Sequence, residues 1–332
     1  MCVNKYNIKE KGFVDIEIDN TLNISDEIDK LRKSKNAVIL AHFYQNSEIQ
    51  DIADFVGDSL ALSQQAAKTN SDIIVFAGVN FMAETAKILS PDKKVLLPDL
   101  NAGCSLAESC PSDKFAEFLK KHPDHTVISY VNTTIQIKAL TDIACTSSNV
   151  LQIVKSLPLN EKILFAPDKN LGNYVKSITG REMVIWDGAC HVHEEFSLEE
   201  ILKIKKKHPL AKIIAHPECE KQILLVADHI GSTSSLLKYT IEENSQEYIV
   251  ATEPGIIHQM KKNNPKKLFI VAPPKDSTCG CNDCNFMKLI TMEKIYNTLK
   301  YEMPEIEIDE KLRKKAERSI NKMLEISEEL GL

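Results

Sequence analysis

The chain contains 332 residues, of which 43% are hydrophobic and 27% are charged, so it has the length for about two domains of roughly 150 residues and the composition for a large core. Its net charge of −6 argues against a nucleic-acid partner, because such proteins favour a basic surface. No apolar run approaches the roughly 20 residues of a membrane span, and the first residues lack the apolar core of a signal peptide, which together predict a cytoplasmic protein with no membrane partner.

The first predicted element is a lead-in helix over Ile24 to Lys35, with Ser25 as its N-cap, inside an N-terminal segment of residues 1–35. Three α/β units are predicted to follow, at residues 36–124, 125–210 and 211–285. Each unit opens with a short apolar run of the kind expected for a buried parallel strand. The opening runs are Ala37 to His42, Thr126 to Tyr130 and Ala211 to His216.

Equivalent positions recur further along each unit. Asp54, Asp142 and Asp228 are separated by 88 and 86 residues (142 − 54 and 228 − 142), and the same intervals separate Ser59, Ser147 and Thr233. Two more apolar runs predict a third and a fourth strand in each unit. The third strands are expected at Ile73 to Ala77, Ile163 to Ala166 and Tyr248 to Ala251, and the fourth at Val95 to Leu97, Met183 to Trp186 and Leu268 to Val271.

Strands that alternate with helical stretches predict an α/β fold with parallel sheets. We expect three homologous αβα units, each with a four-stranded parallel sheet, in a pseudo-threefold arrangement around a common centre. The alternative is one large doubly wound sheet with accidental internal similarity, and the matching aspartate and hydroxyl positions argue against it. After the third unit, residues 286–332 are predicted to form C-terminal amphipathic helices at Phe286 to Leu299 and Asp309 to Ile326.

Polar side chains follow the predicted strands at their carboxyl ends, where ligands gather in open α/β sheets. The polar segments at the ends of the first strands are His42 to Gln45, Tyr130 to Thr133 and His216 to Cys219. After the second strands, three hydroxyl residues each lie near a helix start: Ser59, Ser147 and Thr233. Free N–H groups at a helix start bind phosphate or carboxylate, which favours a small substrate with several negative groups. Taken singly, such hydroxyl residues are more often N-caps, and a lone histidine is more often structural.

The nine cysteines indicate metal binding or catalysis, because disulfides are rare in a reducing compartment. Cys104 and Cys190 each follow the last predicted strand of a unit, and the third unit offers Cys279, Cys281 and Cys284. One thiolate from each unit would hold a metal centre and leave one coordination position open, as a Lewis-acid catalyst requires. The remaining cysteines, Cys2, Cys110, Cys145 and Cys219, are interpreted as buried small hydrophobic residues.

Thiolates suit either zinc or an iron–sulfur cluster, and both metals stay open at this point. His191 and His193 could join Cys190 at a zinc ion. A 4Fe–4S cluster held by three cysteines would leave one iron for hydroxyl or carboxylate oxygens, which suits dehydration of an anionic substrate.

In this order and spacing, the motifs resemble the quinolinate synthase family, from about Ala37 to Leu299. The resemblance rests on His42-Phe43-Tyr44-Gln45, Gly57-Asp58-Ser59, Ala102-Gly103-Cys104, Tyr130-Val131-Asn132, Cys145-Thr146-Ser147-Ser148, Cys190-His191-Val192-His193, His216-Pro217-Glu218-Cys219, Gly231-Ser232-Thr233 and Cys284-Asn285-Phe286-Met287.

This resemblance implies three α/β domains around a central 4Fe–4S cluster, with Cys104, Cys190 and Cys284 as its three ligands and one open iron as Lewis acid. It implies condensation of iminoaspartate with dihydroxyacetone phosphate to quinolinate, with loss of phosphate and two waters, for NAD synthesis. Functional coupling to the L-aspartate oxidase or dehydrogenase that makes iminoaspartate would fit this reaction. The positions that match substrate-contacting residues are His42, Ser59, Tyr130, Val131, Asn132, Ser147, His216, Pro217, Glu218 and Thr233.

The resemblance also implies catalytic roles. Tyr44 and Glu218 match residues implicated in proton transfer, and His193 and His42 are the further catalytic candidates. One departure concerns the cysteines near the C-terminus, where some relatives carry a Cys-x-x-Cys-x-x-Cys run and this chain has Cys279-x-Cys281-x-x-Cys284. A redox role for Cys279 and Cys281 is therefore in doubt. Two alternatives stay open: a zinc-dependent hydrolase built on Cys190, and a non-catalytic anion-binding protein.

Overall fold

The computed structural model describes residues 8–276 and 282–331. Their contacts divide the chain into two compact units, one of Met1–Cys104 with Asn285–Glu317 and one of Ser105–Cys284 with Arg318–Leu332. We refer to them as the first and the second compact unit. The three smaller units expected at residues 36–124, 125–210 and 211–285 remain a prediction as far as their boundaries are concerned.

Twelve named strands in the described residues form three four-stranded sheets, and every strand pair in them is parallel. The prediction of three α/β units with four-stranded parallel sheets is confirmed, and the alternative of one large sheet is wrong. The first sheet has β1 (Ala37–His42), β2 (Phe55–Gly57), β3 (Ile73–Ala77) and β4 (Lys94–Leu96). The second has β5 (Thr126–Tyr130), β6 (Ile143–Cys145), β7 (Ile163–Ala166) and β8 (Met183–Ile185). The third has β9 (Lys212–Ala215), β10 (His229–Ile230), β11 (Glu247–Ala251) and β12 (Leu268–Val271).

The strand order is the same in each sheet: second, first, third, fourth. The first and third strands are therefore central, and helices can cover both of their faces. This explains why their sequences are nearly continuous apolar runs, since all six residues of β1 and all five of β3 are buried.

The repeated aspartate has the same structural role in every sheet. It stands immediately before the short second strand, and its carboxylate accepts the backbone N–H of a residue in the first strand. The distance is 2.8 Å in each case, from Ile39 to Asp54, from Val127 to Asp142 and from Ile213 to Asp228. The aspartate N–H donates in return to the carbonyl of the same residue. The repeated aspartate thus joins the start of the second strand to the first strand by two hydrogen bonds in each sheet.

The helices of the first compact unit lie between and after its strands. The lead-in helix covers Ile24–Ser34, and its N-cap is Asn23, whose side chain accepts the N–H of Asp26. The expectation that Ser25 would cap it is therefore wrong, because the helix already begins at Ile24. The other helices of this unit are Ile8–Lys11, Ser47–Ile52, Ser59–Lys68, Asn80–Leu89 and Met292–Tyr301, with a 3-10 turn at Met287–Leu289.

The second compact unit has ten helices that lie wholly within its described part. They are Ser105–Glu108, Ser112–Lys120, Ile135–Lys138, Val150–Ser156, Lys169–Thr179, His191–Glu194, Leu198–Lys207, Lys221–Leu224, Thr233–Glu242 and Ile256–Asn263. Phe115 of the second helix is fully buried and packs in one core cluster with Val127 and Leu164 of the second sheet. The third sheet has its own core, centred on Ile213, Ile249 and Phe196.

The predicted C-terminal helices are present with shifted bounds. The stretch from Phe286 to Leu299 is divided by Ile290 and by Thr291, which caps the helix Met292–Tyr301. The last helix is Glu310–Glu329, and the division between the two compact units falls inside it. None of the helices in the described part of the chain is long and apolar enough to cross a membrane.

Candidate active site

In each sheet the chain reverses its direction of winding between the first and third strands. The crevice beyond the carboxyl ends of these two strands is where α/β sheets bind ligands. His42 and Tyr130 are the last residues of β1 and β5, and His216 directly follows β9. Each stands three residues after the strand position that is bonded to the repeated aspartate, so the three are structurally equivalent.

In the first compact unit, His42 and Tyr44 pack against each other. His42 is 4% exposed, its Nδ1 accepts the N–H of Tyr44 at 3.2 Å, and the two ring centroids are 4.5 Å apart in an edge-on arrangement. The carbonyl of Tyr44 accepts a hydrogen bond from Lys288 at 2.7 Å. The Tyr44 ring is only partly buried, so the pair presents a phenol beside a buried imidazole.

The hydroxyl residues behind the second strands are not the helix caps. Asp58 caps the helix that begins at Ser59, and Ser232 caps the helix that begins at Thr233. In the second sheet the helix begins at Val150, and Asn149 binds the N–H of Thr146 at 2.7 Å. Ser59 and Thr233 therefore occupy the first helical position, where the backbone N–H groups have no partner within the helix.

Glu218 is the centre of a buried polar cluster in the second compact unit. Its Oε1 accepts the hydroxyl of Tyr130 at 2.7 Å, and its Oε2 lies 3.1 Å from Nδ1 of His193. Nδ1 of His216 is 3.6 Å from Oε1. All four side chains are at most 4% exposed. Residues that are 88 and 25 positions away in the chain (218 − 130 and 218 − 193) thus meet at one carboxylate.

Burial by itself would raise the pKa of Glu218, but its neighbours outweigh that effect. The imidazoles of His193 and His216, together with the hydrogen bond from Tyr130, hold this pKa well below the ordinary value of 4.5. Glu218 is consequently an anion at neutral pH, and it orients the imidazole and phenol groups around it.

The two histidines of the cluster are themselves held in place. Their rings stack with centroids 4.7 Å apart and an interplanar angle of 28°. Nε2 of His216 lies 3.2 Å from the hydroxyl of Ser147, and Nε2 of His193 lies 3.0 Å from the hydroxyl of Thr252. Each imidazole therefore has a hydroxyl at Nε2, while Nδ1 of His193 faces the Glu218 carboxylate and Nδ1 of His216 accepts the backbone N–H of Glu218 at 3.4 Å.

The remaining predicted contacts of this unit lie beside the cluster. Val131 and Pro217 are buried and contribute backbone and apolar surface. Asn132 is partly exposed, but its Oδ1 is buried and has no hydrogen-bond partner among the described residues. A buried amide oxygen without a partner is costly, so a donor supplied by a ligand would stabilise it.

The six described cysteines fall into two groups. Cys104, Cys190 and Cys284 are partly exposed, whereas Cys110, Cys145 and Cys219 are buried. Burial raises the pKa of Cys110 to about 12 and raises the pKa of Cys145 and of Cys219 as well. The three buried cysteines are among those predicted to be small hydrophobic residues. Cys2, the fourth of that set, lies outside the described residues. Cys279 and Cys281 also lie outside them.

Cys190 stands at the start of the short helix His191–Glu194, at the edge of the Glu218 cluster. Ligand atoms of Cys190, His193 and Glu218 all lie within 4.8 Å of one another, so these three could hold a metal ion. His191 instead turns to Ser105, with Nδ1 2.6 Å from the hydroxyl, and burial lowers the pKa of His191. Close packing fixes the loop before Cys190, because a Cβ on Gly188 would lie 2.7 Å from the carbonyl oxygen of Pro167.

Three buried residues at the site were not anticipated from the sequence: Asp168, Thr252 and Glu253. They follow β7 and β11, the third strands of their sheets, whereas the candidates predicted from the sequence follow the first, second and fourth strands. Burial and the charge of Glu218 raise the pKa of Asp168 well above its ordinary value of 3.8. The available signal was a polar residue one or two places after the end of a buried strand.

Parallel sheets with a buried carboxylate, two imidazoles and a phenol at their carboxyl edge define an α/β enzyme with an acid–base site.

Comparison with known proteins agrees with this class of protein. Residues 26–325 match the family described as quinolinate synthetase A protein. The chain is 58% identical over 306 residues to a quinolinate synthase of Thermosynechococcus vestitus, covering 92% of this chain and 96% of that protein. It is 56% identical over 319 residues to the quinolinate synthase of Microcystis aeruginosa, covering 95% of this chain and 100% of that protein. The chain belongs to the quinolinate synthase family.

Proposed function

We propose that this enzyme condenses iminoaspartate with dihydroxyacetone phosphate to form quinolinate, with release of phosphate and two waters, as a step of NAD biosynthesis in the cytoplasm. The observation that carries the proposal is the buried cluster of Tyr130, His193, His216 and Glu218, which joins residues of two different sheets around one carboxylate. Identity of 56–58% to quinolinate synthases over nearly the whole chain supports the choice of reaction.

The buried group of Tyr130, His193, His216 and Glu218 is suited to moving protons near neutral pH. Because the pKa of Glu218 is held low, this carboxylate is a weak base and acts mainly by stabilising a protonated neighbour. We assign the proton transfers to the imidazoles and to the Tyr130 hydroxyl, with Glu218 keeping them oriented, in the way that a buried carboxylate serves a histidine in other acid–base sites. Tyr44 beside His42 is the corresponding acid or base offered by the first compact unit.

Both substrates are anions, with two carboxylates on iminoaspartate and a phosphate on the triose. Thr233 and Ser59 each open a ten-residue helix, where backbone N–H groups and the positive end of the helix dipole favour negative groups. Ser147, which contacts His216, and Asn132, with its unpartnered amide oxygen, add polar contacts. Binding through hydroxyl, amide and N–H groups agrees with the acidic balance of the whole chain.

Cys104, Cys190 and Cys284 are the residues that would hold a 4Fe–4S cluster with one open iron. Their chemistry fits, because these three thiols are partly exposed while Cys110, Cys145 and Cys219 are buried with pKa values raised by burial. A cluster requires thiolates, which buried thiols of high pKa do not readily supply. When bound, the cluster would supply a Lewis acid for the departure of a hydroxyl group.

The test is anaerobic reconstitution with iron and sulfide, followed by metal analysis, a visible spectrum and an assay of quinolinate from the two substrates. We expect a brown protein that forms quinolinate. A colourless protein with full activity would contradict the cluster. Cys284→Ala should abolish both the cluster and turnover, whereas Cys281→Ala and the core variant Cys145→Ala should keep them. The reverse result for Cys281 and Cys284 would overturn the ligand assignment.

A zinc site is a second candidate, because Cys190, His193 and Glu218 already lie close enough to share one ion. Such a site would support the alternative of a zinc-dependent hydrolase. It leaves Cys104 and Cys284 without a metal role, so we rank it lower. Metal analysis that finds one zinc per chain, with neither iron nor sulfide, would favour it. The non-catalytic alternative does not fit a chain that belongs to a family of enzymes.

Iminoaspartate is unstable, so the proposal includes functional coupling to the L-aspartate oxidase or dehydrogenase that makes it. An assay in which such an enzyme generates iminoaspartate in place should give more quinolinate than addition of a preformed solution. Equal yields from both sources would contradict the coupling while leaving the reaction itself unaffected.

A further inference from the structure

We propose that Thr252 and Glu253 are positioning residues of this site: Thr252 fixes the imidazole of His193, and Glu253 fixes the backbone at Cys284. The second half of this inference rests on the proposed function, since only there is Cys284 a cluster ligand. Together the two residues would connect the acid–base cluster with the backbone at Cys284.

Their location follows from the order of the strands. β11 is a central strand of the third sheet, and its last residue, Ala251, pairs with Ala215 of β9. Thr252 and Glu253 come next, at the crevice between the two central strands, directly beside His216. The backbone confirms this, because the N–H of His216 donates to the carbonyl of Ala251 at 3.1 Å.

The side chains of Thr252 and Glu253 contact two different parts of the site. The hydroxyl of Thr252 lies 3.0 Å from Nε2 of His193, whose other nitrogen faces Glu218. Glu253 Oε1 accepts the N–H of Cys284 at 3.4 Å, and its Oε2 accepts the N–H of Gly255 at 2.7 Å. One dipeptide therefore touches a residue of the proton-transferring cluster and the chain at a cysteine 31 positions further on.

Burial makes a merely incidental role implausible for Glu253. Its side chain and that of Thr252 are fully buried, with 0% exposure. A carboxylate taken out of water destabilises the fold unless hydrogen bonds compensate for it. Here the compensating bonds come from backbone groups of two loops, so the residue holds those loops together.

The second sheet has the same feature beside another cysteine. Asp168 stands two residues after Ala166, the last residue of β7, just as Glu253 stands two residues after Ala251. Asp168 Oδ1 accepts the N–H of Leu171 at 2.6 Å, and the backbone N–H of Cys190 partly offsets the rise that burial causes in the pKa of Asp168. In the first sheet the equivalent residue is Val79. The carboxylate is thus present in the two sheets of the second compact unit, next to Cys190 and to Cys284.

A simpler reading is that Glu253 only supports the start of the helix Ile256–Asn263 through Gly255. That role would affect stability but neither the chemistry of Cys284 nor that of His193. Measurements on the thiol, the cluster and turnover therefore separate the two readings.

The test for Glu253 uses the full chain with Glu253→Gln and Glu253→Ala, and Glu247→Gln as the matched control at the opposite end of the same strand. Before iron is added, we measure alkylation of Cys284 by mass spectrometry. After reconstitution, we measure iron and sulfide content and the rate of cluster loss to a chelator. We expect cluster loss to be about tenfold faster in Glu253→Ala, as is typical when a group that orients a metal ligand is removed. Alkylation should also be faster, Glu253→Gln should be intermediate, and the control should match the wild type.

Folded variants at Glu253 with unchanged alkylation and unchanged cluster loss would overturn the inference. If Glu253→Ala does not fold, Glu253→Gln decides; if neither folds before iron is added, the residue is structural and the inference is wrong. Failure of the proposed function looks different, because the wild type itself would then take up neither iron nor sulfide. The alkylation measurement would still report on the position of Cys284.

For Thr252, the variants are Thr252→Val, which keeps the shape and removes the hydroxyl, and Thr252→Ser, which keeps the hydroxyl. We expect Thr252→Val to lower kcat about tenfold with little change in KM, because His193 loses its orientation but the substrate contacts remain. Thr252→Ser should restore most of kcat. Equal kcat in wild type and Thr252→Val would show that the hydroxyl does not position His193.

Discussion

Two places in each sheet can be compared directly: the start of the short second strand and the end of the first strand. At the start of the second strand, Asp54, Asp142 and Asp228 make the same bond at the same distance of 2.8 Å. Three residues beyond the position that donates this bond, the same strands carry His42, Tyr130 and His216. The first place is identical in the three sheets, whereas the second carries histidine in two sheets and tyrosine in the other.

The difference separates the fold from the chemistry. The aspartate supplies an acceptor for a backbone N–H of the first strand where the second strand begins, which meets a need of the backbone alone and so recurs in each sheet. The end of the first strand lies at the crevice, where each sheet can offer a different group. The second and third sheets use this freedom to place Tyr130 and His216 around Glu218.

The comparison predicts its largest effect at the crevice. Glu218→Gln removes the charge that orients His193, His216 and Tyr130, so kcat should fall by about a hundredfold or more. Steady-state assays of reconstituted enzyme measure this. The matched control is Glu220→Gln, two residues on, which pairs with Lys275 at 3.0 Å and should keep nearly full activity. Similar losses in both variants would mean that Glu218 has no special place.

The repeated aspartate should affect stability and not turnover. Asp142→Ala leaves the N–H of Val127 without its charged acceptor, so the free energy of unfolding should fall by about 1–3 kcal/mol. Urea unfolding of the protein without its cluster measures the loss. Asp124→Ala, which removes an exposed ion pair with Lys162, should have little effect. A folded Asp142→Ala protein that has lost turnover would contradict a purely structural role for the repeated aspartate.

Tyr130→Phe sharpens the comparison, because it removes one hydroxyl at the crevice. We expect about a tenfold lower kcat and a loss of about 0.5–1.5 kcal/mol in stability, since Glu218 loses one hydrogen bond. Tyr248→Phe removes a buried tyrosine's bond to the carbonyl of Glu243 in the third sheet. It should cost a similar stability and leave kcat unchanged. If both variants lose turnover equally, the hydroxyl of Tyr130 has no separate function.

The smallest effect should come from Lys212→Ala, which keeps the bond from Ile213 to Asp228 and removes only the exposed ion pair at 2.9 Å. Burial alone would raise the pKa of Asp228, but Lys212 and the N–H of Ile213 hold it below its ordinary value of 3.8. A lowered pKa stabilises the folded state above about pH 4, and this contribution is lost as the pH falls further. Unfolding at pH 7 and pH 3, with and without 1 M salt, should show a loss that is well below that of Asp142→Ala at pH 7 and becomes smaller at pH 3. A larger loss than for Asp142→Ala would contradict the assigned roles.

Much of the fold could be read from the sequence. β1, β3, β5 and β7 have the predicted bounds, since central parallel strands must be apolar on both faces and the pattern is local. The edge strand β12 has its predicted bounds as well. Bounds shifted by a residue or so where the pattern weakens, as at Lys94–Leu96 and Met183–Ile185. The lead-in helix shows a similar limit, because the sequence allows either Asn23 or Ser25 as its N-cap and only the position at which the helix begins distinguishes them.

The sequence by itself determined the three sheets, the repeated aspartate and the list of polar residues behind the strands, because each depends on spacing along the chain. Only the tertiary structure decided that Tyr130 and His193 share the carboxylate of Glu218, that Asp58 and Ser232 rather than Ser59 and Thr233 cap their helices, and that Thr252 and Glu253 belong to the site. These facts depend on burial and on contacts between residues far apart in the chain. Charge and hydrogen bonding at such contacts set which groups are ionised, and no local pattern records them.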